Sequence, residues 1–200
     1  KKISGNDFEI ALWRIEEELA FFQSKFNAHP DIKNENKKLQ WYASRHLLNE
    51  LLGEKVSMVK DETGKPFIKN SDGYISISHT AGFAAVMFSK KFKVGIDLEI
   101  INPKVERIAH KFLREDEINS IQKNEKTEKL ILYWSAKESL YKFYGKPGID
   151  FTSQLLIEPF DLKSSGEMIA EIKTVDFSMR NLSIQYEFFE GHALTWICGK

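Results

Sequence analysis

Cysteine, net charge and long apolar runs are what this sequence has least of. Cys198 is the only cysteine among 200 residues, which excludes an intramolecular disulfide and a cysteine metal cluster. It lies in an apolar C-terminal run, so we expect an inert packed thiol and a cytoplasmic protein. The 29 basic and 29 acidic residues cancel, so neither nucleic acid nor a membrane surface is an expected partner.

The chain also has no run of 18 apolar residues and no apolar signal core near its start. It does not begin with methionine, which leaves open that residues precede Lys1. What it does have is 42% hydrophobic residues, including 15 Phe and 4 Trp. That content suffices for a packed interior in one domain or in two small halves that share a core.

Hydrophobic periodicity predicts an α+β protein. Helical spacing is clearest at residues 34–53 and 125–144, and it is present at 16–23, 105–113 and 115–122. Short segments bounded by turn residues predict strands at 56–60, 74–79, 83–89 and 94–100. A second small sheet is expected from residues 151–157, 168–173, 182–189 and 193–198.

The segment Val94-Gly95-Ile96-Asp97-Leu98-Glu99 places two carboxylates on one face of a predicted strand. An amphipathic strand with a solvated face is the simpler interpretation. However, Asp is depleted in strands, and two like charges on one face gain nothing without a cation between them. Magnesium binds through one or two carboxylates plus phosphate oxygens, so the pair predicts a metal platform that needs a third group.

A third carboxylate comes from the predicted helix at 125–144. Glu138 follows Trp134 by four residues and precedes Tyr141 by three, which places it on the apolar, core-facing stripe. The alternative is a surface pair with Lys142 in the favourable i, i+4 order, worth roughly 0.2–0.5 kcal/mol. With the strand acids present, Glu138 is better explained as a ligand of the same cation.

Basic and polar residues occur in the same motifs and jointly predict a pocket for several phosphates beside the metal. They are Arg45, Lys65, Ser78, His79, Lys137 and Lys142. Each one alone is more often a solvated or structural residue.

A short sequence pattern occurs in both long predicted helices. Residues 41–45 and 134–138 share a Trp-x-Ala start, with a polar residue four positions after each Trp. This repeated pattern indicates two similar halves related by a pseudo-twofold axis, each contributing one helix to a central cleft.

Four blocks in this order resemble the 4'-phosphopantetheinyl transferases, in particular the longer monomeric type. They are Gly64-Lys65-Pro66, Ile77-Ser78-His79-Thr80, Val94 to Glu99, and Trp134-Ser135-Ala136-Lys137-Glu138-Ser139 with Lys142 following. The last two together are specific, and the resemblance covers roughly residues 45–151. It implies a pseudo-dimeric α+β fold with halves at 1–100 and 101–200, an active site between them, and a monomer.

The resemblance also implies roles for the residues. Asp97, Glu99 and Glu138 would hold magnesium against the diphosphate of coenzyme A, and Lys137 and Lys142 would neutralise that diphosphate. The 3'-phosphate and adenosine side would contact Arg45, Lys65, Ser78 and His79. Some relatives have a polar residue where this chain has Leu98, so water is expected at that metal position.

The implied reaction transfers 4'-phosphopantetheine to a serine of an acyl or peptidyl carrier protein and releases 3',5'-ADP. Such displacements depend mainly on positioning and charge stabilisation. Glu138 is our candidate general base, with a metal-bound hydroxide as the alternative. Two other functions remain open: a coenzyme A-binding regulator without transfer activity, and a magnesium-dependent diphosphate hydrolase.

Overall fold

The structure, a computed structural model, describes residues 1–27 and 29–200. These residues contain two larger antiparallel sheets, a separate two-stranded sheet and two long helices. The helices are α1 (Leu19–Gln23), α2 (Glu35–Leu52), α3 (Glu115–Asn119) and α4 (Lys126–Tyr144). The strands of the first half are β1 (Lys2–Ser4), β2 (Glu9–Arg14), β3 (Met58–Lys60), β4 (Pro66–Ile68), β5 (Tyr74–Thr80) and β6 (Phe83–Ser89). The remaining strands are β7 (Lys93–Ile100), β8 (Leu155–Ile157), β9 (Ser165–Lys173), β10 (Ser178–Phe189) and β11 (His192–Gly199).

The two sheets pack face to face, and each carries one long helix on its other face. The first sheet has the order β1-β2-β6-β5, the second β7-β11-β10-β9-β8, and β3 pairs with β4 separately. Residues such as Leu12 and Met87 from the first sheet meet Ile96 and Leu98 from the second in one apolar cluster. Separate clusters join α2 to the first sheet and α4 to the second. The mixed α/β content predicted from the sequence is confirmed.

The boundaries of both long helices lie where the sequence predicts them. The Asn34 side chain accepts a hydrogen bond from the Lys37 backbone N–H at 3.0 Å and so caps the start of α2. Gly53 and Gly145 follow α2 and α4 with φ of 71° in each case, the left-handed conformation that terminates helices at low cost for glycine.

Helix α4 lies unusually close to β7 because Gly95 has no side chain. A Cβ atom at this position would lie 2.0 Å from the Ser139 carbonyl oxygen and 2.9 Å from the Phe143 nitrogen. Further along the same contact, the Thr195 hydroxyl of β11 lies 2.6 Å from the Ser139 hydroxyl and donates to the Ser135 carbonyl at 2.9 Å. Small residues therefore fix the height of α4 above the acid-bearing strand.

Two serines of β5 connect the sheets at their junction. The Ser76 hydroxyl accepts from the Ile96 N–H at 3.0 Å, and the Ser78 hydroxyl accepts from the Leu98 N–H at 3.1 Å. These bonds satisfy edge N–H groups of β7 that strand pairing leaves open. The register of β5 against β7 is thus set by side chains rather than by a backbone ladder.

The structure differs from the sequence-based prediction in several elements, among them strands β1 and β4, which the sequence analysis did not predict. Residues 9–14 form strand β2, which a mixed apolar pattern did not indicate. Two short 3₁₀ turns, Pro103–Arg107 and Ala109–Lys111, replace the helix predicted at 105–113. Within these turns only Val105 is buried, so no continuous apolar face supports an α-helix. Strand β7 pairs in the second sheet, although a division at residue 100 assigns it to the first half. That division remains a prediction.

In the described residues, no helix is both long enough and apolar enough to cross a membrane.

Candidate active site

Asp97 is the most enclosed carboxylate of the predicted site, with 3% of its surface exposed. Its Oδ1 atom accepts hydrogen bonds from Lys142 Nζ at 2.7 Å and from the Ser78 hydroxyl at 2.9 Å. Lys142 also donates to the Ile96 carbonyl at 3.0 Å. The other oxygen, Oδ2, is buried and has no hydrogen-bond partner among the described residues. A buried carboxylate oxygen left in this way is costly unless a ligand uses it.

Glu99 lies on the same face of β7, as the alternation of the strand predicts. Its Oε1 atom accepts a hydrogen bond from the Trp134 indole N–H at 2.9 Å. Partial burial, and then repulsion from Asp97, raise the pKa of Glu99 to about 7. Near neutral pH this carboxyl is therefore poised between its charged and neutral forms, and a cation would favour the charged form.

Glu138 faces the same acids from α4. Burial and then the charge of Asp97 raise its pKa, while Lys142 partly offsets this effect. The predicted core-facing position is wrong: Glu138 is half-buried, and it shares the partly exposed face of α4 with Trp134, Tyr141 and Lys142. The surface pair with Lys142 does not form within salt-bridge distance in the described part of the chain, since Lys142 pairs with Asp97.

The three acids face one another without converging on one point. Across residues 1–27 and 29–200, no three His, Cys, Asp or Glu side chains are placed so that they alone can hold a metal ion. Magnesium does not need such a cage, because it commonly takes one or two carboxylates and completes its shell with water and phosphate oxygens. Hard oxygen donors, an unpartnered Asp97 Oδ2 and the mutual repulsion of the acids all fit this cation.

A cleft of about 220 Å³ lies beside these acids, and its lining is rich in basic residues. Its polar lining includes Thr63, Lys65, Lys142 and Lys146. The Asp61 carboxylate shapes the turn by accepting from the N–H groups of Thr63 at 2.9 Å and Lys65 at 3.0 Å. The cleft therefore offers three ammonium groups to an anionic ligand.

Lys65 reaches from this turn to the end of α4. Its ammonium lies 2.6 Å from the position that a Cβ atom of Gly145 would occupy, so it lies directly over the glycine that ends α4. Burial, and then the charge of Lys93, lower the pKa of Lys65. The carboxyl end of the helix favours a cation at this place.

His79 and Arg45 lie outside the residues that line the cleft. The His79 ring is exposed, and partial desolvation, followed by the charge of Lys142, lowers its pKa. The Arg45 guanidinium stacks on Trp41 at 3.6 Å and donates to the Trp41 carbonyl at 3.2 Å. Burial lowers the pKa of Arg45 to about 10.

Lys137 is not part of this site, which corrects the expectation that it neutralises a diphosphate. Its side chain is 0% exposed, and its ammonium donates to Glu117 Oε2 at 2.7 Å and to the carbonyls of Phe112 at 2.6 Å and Phe151 at 3.0 Å. Glu117 is equally buried, and it also accepts from the Arg114 N–H at 2.8 Å and the Ile157 N–H at 3.0 Å. All three ammonium hydrogens are used, so none remains for a phosphate.

Ser78 also differs from its expected role at the 3'-phosphate. The residue is 7% exposed, its oxygen accepts from the Leu98 N–H, and its proton is donated to Asp97 Oδ1. Trp134 was not among the predicted site residues, although its spacing of four from Glu138 places both side chains on one helix face. Lys146 and Thr63, which line the cleft, were missed too, because an exposed lysine and a turn threonine give no distinctive pattern.

Comparison with known proteins identifies relatives of the part of the chain that carries the acids. The family described as the 4'-phosphopantetheinyl transferase superfamily matches residues 93–197, which include β7, α4 and all three acids. The chain is similar to 4'-phosphopantetheinyl transferase AcpT of Escherichia coli strain K12, with 25% identity over 112 residues, 53% of this chain and 57% of that protein. The protein of the same name from Salmonella typhi is 33% identical over 69 residues, 34% of this chain and 36% of the relative.

The chain spans only part of the length of these curated relatives. The match covers 57% of the Escherichia coli protein. The family match is broader with respect to this chain, since residues 93–197 are more than half of its 200 residues. On that ground the chain belongs to the 4'-phosphopantetheinyl transferase superfamily.

Proposed function

We propose that this protein transfers the 4'-phosphopantetheine arm of coenzyme A to a serine of an acyl or peptidyl carrier protein, in a magnesium-dependent reaction that releases 3',5'-ADP. One observation carries the proposal most directly. Within the family match, Asp97, Glu99 and Glu138 repel one another. Lys142, which pairs with Asp97, also lines the neighbouring cleft, whose charged groups are lysines. The carboxylates suit a cation, and the ammonium groups beside them suit a diphosphate.

Coenzyme A has two anionic parts, and the basic groups form two corresponding sets. Lys142 lies at the acids, where it can neutralise the diphosphate. Lys65 and Lys146 lie further along the cleft, at the end of α4, and suit the 3'-phosphate. His79 and Arg45 remain proposed contacts on the adenosine side, where exposure leaves the imidazole accessible.

Asp97, Glu99 and Glu138 are the residues that would hold the magnesium ion. When bound, the ion would neutralise charge on the diphosphate and on the departing 3',5'-ADP. Lys142 adds a positive charge on the same side, and its contacts with Asp97 and Ile96 hold the ammonium in place before any ligand arrives.

The chemistry is a substitution at phosphorus. A bond forms between the carrier serine oxygen and the phosphorus nearest the pantetheine, and the bond from that phosphorus to the 3',5'-ADP oxygen breaks. The serine proton goes to the Glu138 carboxylate, which faces Asp97 from α4 and acts as the general base. The electron pair leaves with 3',5'-ADP.

We further propose that the two sheets, with α2 and α4, are halves related by a pseudo-twofold axis, and that one chain is sufficient for activity. The support is architectural: each sheet carries one long helix on its outer face, and the acids lie near the junction of the sheets. Ser78 from the first sheet contacts Asp97 from the second, so both halves contribute to the site.

The test is product analysis with coenzyme A, magnesium and a panel of apo carrier proteins. We expect a single serine to gain one phosphopantetheine, with release of an equal amount of 3',5'-ADP. Glu138→Gln should lose transfer while it retains coenzyme A binding, because the amide keeps the shape but accepts no proton. Glu128→Gln, on the same helix, is the matched control and should remain active.

Two outcomes would replace the proposal. Coenzyme A binding without modification of any carrier would favour the regulator. Free phosphopantetheine produced without a carrier would favour the hydrolase, with water as the nucleophile.

A further inference from the structure

Each acid on β7 is held by one uncharged hydrogen-bond donor from a neighbouring element. The Ser78 hydroxyl on β5 donates to Asp97 Oδ1 at 2.9 Å, and the Trp134 indole on α4 donates to Glu99 Oε1 at 2.9 Å. In both acids the contact uses a single oxygen. For Asp97, the second oxygen is buried and has no partner among the described residues.

The Ser78 hydroxyl both accepts and donates a hydrogen bond at β7. Its oxygen already accepts from the Leu98 N–H at 3.1 Å, which fixes the side chain against β7. Ser76, two residues earlier, makes the equivalent bond to the Ile96 N–H at 3.0 Å. The two serines thus tie the sheets together in the same way, but Ser78 alone of the pair also contacts a carboxylate.

The Trp134 ring is fixed by packing. Its centroid lies 5.2 Å from that of Phe112 and 5.8 Å from that of Phe151. An indole held in this way presents its N–H in one direction, and that direction is the Glu99 carboxyl. Rigid donors behind ligating groups are a common way to orient the free oxygen of a carboxylate.

We propose that Ser78 and Trp134 are positioning residues that hold one oxygen each of Asp97 and Glu99, and thereby direct the other oxygen to the cation. The inference rests on the proposed function, because it requires a cation at these acids. It assigns Ser78 to the metal platform instead of the 3'-phosphate, and it gives Trp134 a role beyond helix packing.

Manganese binding tests this assignment without measuring transfer. Mn²⁺ would be titrated into the protein with saturating coenzyme A, free ion would be counted by electron paramagnetic resonance, and coenzyme A alone would serve as the blank. Ser78→Ala and Trp134→Phe should each weaken Mn²⁺ binding about tenfold, as expected when a residue behind a metal ligand is removed. Ser78→Thr keeps the hydroxyl and should restore most of the affinity.

Two control variants remove the same chemical groups elsewhere. Ser76→Ala breaks the equivalent bond to β7 and should leave Mn²⁺ affinity unchanged. Trp13→Phe removes an indole that donates to the Glu17 carboxylate at 3.0 Å, away from the acids, and should also have no effect. In a ¹⁵N spectrum of the wild type, Mg²⁺ should shift the Trp134 indole resonance and not that of Trp13.

The outcomes separate this inference from the proposed function. Wild-type Mn²⁺ affinity in Ser78→Ala and Trp134→Phe would overturn the positioning roles and leave the transferase proposal intact. Equal weakening by Ser76→Ala would reduce the Ser78 effect to sheet packing. Absence of Mn²⁺ binding by the wild type with coenzyme A present would overturn the metal platform itself.

Discussion

Lys142 Nζ lies 2.7 Å from Asp97 Oδ1, and this ion pair joins the last turns of α4 to the acid-bearing strand. The Asp97 side chain is 5% exposed and that of Lys142 is 25% exposed. A charge this deep needs a partner, because solvent cannot supply one. In the protein without metal, the lysine ammonium supplies the positive charge at the place proposed for magnesium.

Lys142→Met should therefore destabilise the metal-free protein and make it responsive to magnesium. Loss of one partner of a buried pair costs about 3–5 kcal/mol, and partial exposure of Lys142 reduces the expected loss to about 2 kcal/mol. Millimolar Mg²⁺ should recover part of that loss in urea unfolding, because the ion replaces the missing charge. Lys146→Met, in the exposed turn after α4, should show neither effect. Equal stability of wild type and Lys142→Met would contradict the role of the pair.

Glu99 makes the stability of the metal-free protein depend on pH. Its pKa is raised from 4.5 to about 7, mainly by burial, so folding favours the protonated form. Its contribution is fully present below about pH 4.5 and is lost as the pH rises through 7. At pH 8 in EDTA, Glu99→Gln should thus be more stable than wild type. Its free energy of unfolding should be higher by at most about 3 kcal/mol.

Near pH 5 the same substitution should change the free energy of unfolding little. Glu62→Gln, at an exposed position between β3 and β4, is the control and should show no such pH dependence. A Glu99→Gln effect that is the same at both pH values would show that titration is not its cause.

The elements with strong periodic signals were predictable from the sequence. Helices α2 and α4 and strand β7 lie where capping residues and alternation place them, since local chemistry alone fixes those features. Strand β2 was missed because its residues are buried by two different layers, with Ala11 and Leu12 on opposite faces. Such a strand does not alternate between apolar and polar residues.

The site was predictable in part, and the two lysines of α4 show why. Lys142 lies one turn after Glu138 and shares its face, whereas Lys137 is flanked at helical spacing by Tyr133 and Leu140. Those apolar neighbours were a usable signal of burial. The partner of Lys137 was not predictable, because Glu117 reaches it only through the packing of α3.

Lys137→Met should cost stability rather than coenzyme A binding. It would leave the Glu117 carboxylate buried without its cation, at a cost of about 3–5 kcal/mol. Lys137→Met combined with Glu117→Leu should recover much of the loss, because both charges are then absent. The measurements are chemical unfolding and calorimetric titration with coenzyme A. If a folded Lys137→Met variant bound coenzyme A tenfold more weakly, the result would show that Lys137 contributes to ligand binding.

Gly95→Ala tests the close contact between α4 and β7. The new Cβ would lie 2.0 Å from the Ser139 carbonyl, so the helix must move away from the strand, at a cost of about 3 kcal/mol or more. Gly199→Ala is the matched control on the neighbouring strand, where the nearest atom is 3.7 Å away. Thermal unfolding of both variants gives the comparison. Similar stability of the two would show that the contact is not tight.

The last prediction concerns the end of the cleft proposed for the 3'-phosphate. Lys65→Ala removes an ammonium that the turn at Asp61 and the space at Gly145 hold in place. It should weaken coenzyme A binding about tenfold, a typical loss for a charge-assisted hydrogen bond to phosphate.

Dephospho-coenzyme A lacks that phosphate, so wild type and Lys65→Ala should bind it with nearly equal affinity in calorimetry. His79→Ala should behave in the same way if the imidazole also contacts the 3'-phosphate. Lys60→Ala, exposed on β3, is the control for a general loss of positive charge. If Lys65→Ala weakened both ligands equally, Lys65 would have to act on a part that they share, and the diphosphate would then lie nearer to the end of α4 than we propose.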